Sequence, residues 1–221
     1  MKKMLLMLTL ALAGLVRAQS PEIDALKQAA AGGDAKAQFQ LGQLFQQGQG
    51  VAQDLKQTRM WWEKAAAKGE LQAQLALAQL YDSGEGTVKA NRRRARQLYE
   101  KAAQAGDPQA QFQVALMYEK GQGGKRSYRL ARQWYEKAAE TGNPDAQYNL
   151  GALYFKGYGG KKDFEQARSW FEKSAAQGNG EALFSLGLLH ENGVAVDKDE
   201  AKAKDFYQQA CSRGYQAGCG K

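Results

Sequence analysis

Histidine, cysteine and proline are almost missing from this 221-residue chain, which has one, two and three of them respectively. A zinc centre gathers several His or Cys ligands in one place; His190, Cys211 and Cys219 are too few, so neither a metal nor a cofactor is expected. The cysteines do not form a Cys-x-x-Cys motif, and no thioredoxin-like strand pattern surrounds them, which favours a structural role over dithiol redox catalysis. His190 stands where equivalent segments carry Phe45, Tyr81, Tyr118 and Tyr154, so it is expected to pack rather than to act as a base. With 25 glycines at regular positions and few prolines, no linker or domain boundary is visible.

The apolar run from Met4 to Val16 is broken only by Thr9 and Gly14 and falls short of the ~20 residues of a membrane span. Lys2 and Lys3 precede it and Val16-Arg17-Ala18 follows it as a small-x-small cleavage site. Residues 1–18 are therefore expected to be a cleaved signal peptide, with an uncleaved anchor as the alternative. Loss of Lys2, Lys3 and Arg17 lowers the formal charge from +8 to +5, too little to suggest a nucleic-acid partner for an exported chain. In a periplasmic or secreted protein, Cys211 and Cys219 are expected to form a disulfide.

What the chain does have is repetition. Ala37-Gln38-Phe39, Ala73-Gln74-Leu75, Ala110-Gln111-Phe112, Ala146-Gln147-Tyr148 and Ala182-Leu183-Phe184 recur at steps of 36, 37, 36 and 36 residues. A fixed period of this length signals stacked supersecondary units. In the fourth unit, Ala146, Leu150, Gly151, Leu153 and Tyr154 mark one helical face, and Ala167, Trp170, Phe171, Ser174 and Ala175 mark another. Gly157-Tyr158-Gly159-Gly160 separates them, so each unit reads as helix, glycine turn, helix. Cap residues Asp54, Asn91, Ser127, Asp163 and Asp199 open the second helices, and Gly69, Gly106, Gly142, Gly178 and Gly214 close them.

The pattern Ala-x-x-x-Leu-Gly-x-Leu-Tyr-x-x-Gly-x-Gly, then Asp-x-x-x-Ala-x-x-Trp-Tyr/Phe-x-Lys-Ala-Ala-x-x-Gly, resembles the Sel-one-like repeat (SLR) family, relatives of the tetratricopeptide repeats. The resemblance covers about residues 37–214, with repeats starting near 37, 73, 110, 146 and 182. It implies an all-α, right-handed α/α solenoid of five helical hairpins. Residues 19–36 would hold an N-terminal half-repeat helix, and residues 215–221 a C-terminal cap stapled by the disulfide. The cysteine spacing is similar to that of a cysteine-rich secreted branch of the family. That branch suggests an alternative function, binding or hydrolysis of β-lactams or peptidoglycan fragments. However, no serine is followed three residues later by lysine, so the Ser-x-x-Lys nucleophile of that chemistry is absent and no catalytic residue is expected.

By analogy with tetratricopeptide arrays, the first helices line a concave face. Their residues outside the core include Gln40, Gln43, Gln47, Gln79, Gln113, Lys120, Asn149 and Lys156. Amide side chains both donate and accept hydrogen bonds, so this groove suits an extended peptide. A second surface is basic: Arg92, Arg93, Arg94, Lys125, Arg126, Lys161 and Lys162 precede or open second helices in three consecutive units. Cations there oppose the helix dipole, so fold stability does not explain them. The expected protein is a monomeric, non-enzymatic, exported scaffold that binds a protein or peptide of the cell envelope, any membrane contact being made by the leader or the basic ridge.

Overall fold

The structure is a computed structural model that describes residues 21–221; the expected signal peptide lies outside the described residues. The chain forms two compact units, one ending at Asn91 and one running from Arg92 to Lys221. The first holds α1 (Pro21–Ala31), α2 (Ala35–Gln47), α3 (Leu55–Ala67) and α4 (Leu71–Ser83), each packed on the next. The second holds α5 (Arg92–Gln104), α6 (Pro108–Lys120), α7 (Tyr128–Glu140), α8 (Pro144–Lys156), α9 (Phe164–Ala176), α10 (Gly180–Asn192) and α11 (Glu200–Ser212). A 3-10 turn, Gln216–Gly218, ends that unit. Within each unit, helices consecutive in sequence pack in pairs, the hairpin arrangement of an α/α solenoid.

Every helix from α2 to α11 is 13 residues long, and most are stopped by caps. Asp54, Ser127, Asp163 and Asp199 accept hydrogen bonds from backbone N–H groups two or three residues on, and Asp34, Asp107, Asn143 and Asn179 do the same for first helices. Each such cap is worth about 1 kcal/mol. Gly157 closes α8 at φ 71°, a left-handed conformation that costs a Cβ-bearing residue strain.

Alanine fills the seams. Ala65, Ala102, Ala138 and Ala210 of the second helices, and Ala73, Ala110, Ala146 and Ala182 of the first helices, are completely buried. These small side chains let helix backbones approach closely, and aromatic rings such as Tyr135 and Phe171 fill what remains. The expected disulfide is present: Cys211 and Cys219 are joined with Cα atoms 4.8 Å apart. It holds the 3-10 turn against α11, where the sequence pattern would have begun another first helix.

Candidate functional site

The first helices carry two sorts of glutamine. Gln38, Gln74, Gln111 and Gln147, the second residue of each Ala-Gln pair, are buried. Their Nε2 groups donate to the carbonyl oxygens of Ala30, Ala66, Ala103 and Ala139, eight residues earlier, at 3.0, 3.4, 3.4 and 3.1 Å. They tie each first helix to the second helix before it, and are architecture. In the fifth repeat Leu183 takes the place and makes no such bond.

In the first unit, a cleft of about 300 Å³ opens between α2 and α4. Gln43 and Gln79, both expected at the groove, line it together with Gln46, Ser83 and Glu85. Trp62 forms its floor, its Nε1 donating to the Phe39 carbonyl at 3.2 Å. Gln40 and Gln47 are exposed on α2 outside this cleft.

In the second unit, a larger cleft of about 440 Å³ opens between α8 and α10. Every residue of the first cleft has its repeat equivalent here: Gln43, Gln46, Gln79, Ser83 and Glu85 become Ala152, Phe155, Leu188, Asn192 and Val194. Phe171 replaces Trp62 as the floor, and Tyr148 replaces Phe39 as the wall, 5.8 Å from Phe171 between ring centroids. Lys156 stands at the rim. Phe155 and Leu188 are 37% and 36% exposed, large apolar side chains facing water.

A polar pair formed by the neighbouring repeats is missing here. Around the second unit, Tyr135 of α7 donates to Glu119 of α6 at 2.6 Å, and Tyr207 of α11 to Glu191 of α10 at 2.8 Å. Burial, followed by the carboxylate partner, raises the pKa of both phenols, so each remains a neutral donor. Between α8 and α9 the corresponding residues are Phe155 and Phe171. Glutamine counting along the groove missed this change; its sequence signal was a phenylalanine where the first repeat carries Gln46 and the other three carry Asp82, Glu119 and Glu191.

The remaining expected residues lie elsewhere. Asn149 acts on the Tyr135 phenol, and Gln113 and Lys120 on α6 line neither cleft. The basic residues are all exposed in the second unit: Arg92, Arg93 and Arg94 in the first turn of α5, Lys125 and Arg126 before α7, and Lys161 and Lys162 before α9. The turns before α7 and α9 pack on the preceding second helices, Arg96 reaching the Gln122 carbonyl and Arg132 that of Lys161. His190 is buried and stacked on Phe206 with centroids 5.6 Å apart. Among the described residues, no group of three or more His, Cys, Asp or Glu side chains could hold a metal ion. Nor is any helix long and apolar enough to cross a membrane.

The Sel1 repeat profile matches residues 35–70, 71–107, 108–143, 144–179 and 180–215. Among solved structures, a protective antigen of uropathogenic Escherichia coli strains that displays an SLR fold is 36% identical, with a TM-score of 0.78 over 89% of this chain and 42% of its own. This chain thus spans less than half the length of that relative. A Sel1 repeat protein from Oxalobacter formigenes is 29% identical, with a TM-score of 0.72 over 89% of this chain and 79% of its own. A comparison with curated proteins finds no match.

Proposed function

The chain belongs to the Sel1 repeat family, whose members generally mediate protein–protein interaction and are mostly non-enzymatic scaffolds, and on that premise we propose that it is an exported adaptor that binds peptide segments along the outer faces of its first helices. The observation that carries this reading is the pair of repeat-equivalent clefts, α2/α4 in one unit and α8/α10 in the other. A cleft between consecutive first helices, walled by side chains of both, presents the alternating pockets and amide groups that an extended chain uses. The exposed cations of the second unit supply long-range attraction for an acidic partner.

Export is supported by the Cys211–Cys219 bond, which belongs in an oxidising compartment, and by the leader-like pattern of residues 1–18. Intact-mass measurement checks it, with a chain beginning at Gln19 as the expected result. The adaptor reading is tested by capture from an envelope extract on the wild-type protein and on a variant with Gln43, Gln79 and Gln113 changed to alanine. A partner held by the first and lost by the second is expected. Equal retention by both would shift the contact to the basic residues and overturn the groove assignment.

A further inference from the structure

We propose that the cleft between α8 and α10 anchors a peptide in which a bulky apolar side chain stands beside a carboxylate, the apolar group filling the space over Phe171 and the carboxylate pairing with Lys156. This rests on the adaptor reading above and narrows it to one pocket and one kind of ligand.

The apolar half follows from the lining. Tyr148, Ala152, Phe155, Leu188 and Val194 surround the buried Phe171 ring, and the space of about 440 Å³ falls within the ~300–1,000 Å³ typical of ligand pockets. Phe155 is further set against Phe164, also partly exposed, with ring centroids 5.1 Å apart. Leaving such a surface wet is unfavourable, and an apolar side chain entering it removes that cost. Ser185 and Asn192 direct donors to their own helix, at 2.9 Å to Glu181 and 2.8 Å to Leu188. The Asn192 amide oxygen remains as an acceptor for a peptide N–H, while the Ser185 hydroxyl is also set against the Tyr148 phenol.

The acidic half follows from charge. Lys156 lines the cleft and Lys162 lies 5.5 Å from the Phe164 ring centroid. Among the described residues neither lysine pairs with a carboxylate. Of the neighbouring acids, Glu165 and Glu172 pair with Arg168 and Glu191 with Tyr207 and Lys221, while Glu181 acts on Tyr148 from the first turn of α10, with Lys156 in the last turn of α8. Lys156 lies 5.8 Å from the Tyr158 ring centroid, so the rim offers positive charge that touches aromatic rings but no carboxylate, next to an apolar space, and a carboxylate flanking the anchor side chain complements both. The equivalent α2/α4 cleft has Gln47 in place of Lys156 and its own Glu85 on the wall, so it lacks this complementarity.

The test uses the purified protein, isotope-labelled, titrated with the end-blocked octapeptide Gly-Ser-Gly-Phe-Asp-Gly-Ser-Gly and followed by amide chemical shifts. Shifts centred on Ala152, Phe155, Leu188 and Val194 are expected. Replacing the peptide's Phe by Ala should weaken binding about tenfold or more. Replacing its Asp by Lys should weaken it severalfold at low salt and much less at 1 M salt. The Phe155→Gln/Leu188→Gln variant copies the chemistry of Gln46 and Gln79, already housed by this fold, and should keep its helical signal while losing the peptide. Lys156→Ala should erase the preference for Asp alone. Scattered shifts, or equal binding of the Ala peptide, would overturn the proposal. So would self-association that the double variant abolishes, since the occupant would then be a second copy. A captured partner that survives the double variant but is lost by the Gln43/Gln79/Gln113 variant would overturn the anchor pocket and leave the adaptor reading standing.

Discussion

The two clefts are built on the same frame and end in opposite chemistry. In the first unit the space between α2 and α4 is walled by Gln43, Gln46, Gln79, Ser83 and Glu85 over Trp62. In the second the space between α8 and α10 is walled by Ala152, Phe155, Leu188, Asn192 and Val194 over Phe171. The frame is fixed by packing: alanine seams, buried Ala-Gln bonds and a large ring as the floor. The walls are free to vary because they face solvent. What differs between repeats is therefore the chemistry of the walls, and what is shared is what holds the repeats together.

The largest effects should come from the shared frame. Each floor ring lies against a glycine of a first helix, Trp62 against Gly42 and Phe171 against Gly151. A Cβ on Gly151 would meet the Phe171 ring at 2.8 Å and the Ala167 carbonyl at 3.1 Å, so the ring must tilt into the cleft or the helices must part. Overpacking of this sort costs about 1–3 kcal/mol. Gly151→Ala and Gly42→Ala are both expected to lower the thermal midpoint by several degrees, measured by circular dichroism. A large loss in one and none in the other would break the claim that the floors are equivalent.

A second change addresses the walls. Phe155→Glu combined with Phe171→Tyr would install in the fourth repeat the pair already formed by Tyr135 with Glu119 and Tyr207 with Glu191. A double-mutant cycle should give a favourable coupling of about 0.5–1.5 kcal/mol, with each single change neutral or destabilising. Additive effects would mean that the apolar cleft is not simply a repeat lacking its polar pair. A smaller gain is expected from His190→Tyr. Tyr118 and Tyr154 donate to Glu100 and Glu136 at 2.6 and 3.3 Å, beneath the Arg96 and Arg132 guanidinium groups, and Tyr81 donates to Glu63. His190 instead leaves its buried Nδ1 without a partner. A tyrosine there faces Glu172 by repeat equivalence, and should add up to about 1 kcal/mol, read as a rise of ~2–4 °C in the thermal midpoint.

The frame was legible in the sequence because packing repeats and wall chemistry does not. The cap residues Asp54, Ser127, Asp163 and Asp199, the closing glycines and the cysteine pair all stand where the pattern put them. Gln43 and Gln79 line one cleft and Lys156 the other, and helical spacing is what puts all three on that face. Phe155 escaped notice because helical spacing assigns it to neither the core nor the outer stripe. Its meaning appears only when Glu119 and Glu191 are seen bonded to tyrosines across the hairpin. Asn149 reads as a groove residue by spacing, yet its amide acts on the Tyr135 phenol. A period tells which face a residue occupies, while its partner on the next helix decides whether it is available.

The smallest expected effect separates the intact polar pair from the site that lacks it by pH. The hydrogen bond from Tyr207, followed by that from Lys221, holds the Glu191 carboxyl below its ordinary value of 4.5. A carboxyl with a depressed folded pKa contributes its stabilisation fully above the unfolded value, and loses it as pH falls through the lower folded value. Glu191 is solvent-exposed, so the contribution is screened and modest. The thermal midpoint should therefore fall between pH 6 and pH 3 by somewhat less in Glu191→Gln than in the wild type, and 1 M salt should narrow the difference. Phe155→Gln changes the equivalent position of the fourth repeat, where there is no carboxyl to titrate, and should leave the acid loss unchanged. If Glu191→Gln and Phe155→Gln instead respond alike, the acid sensitivity belongs to the array as a whole, and the polar pair is not what sets the fifth repeat apart from the fourth.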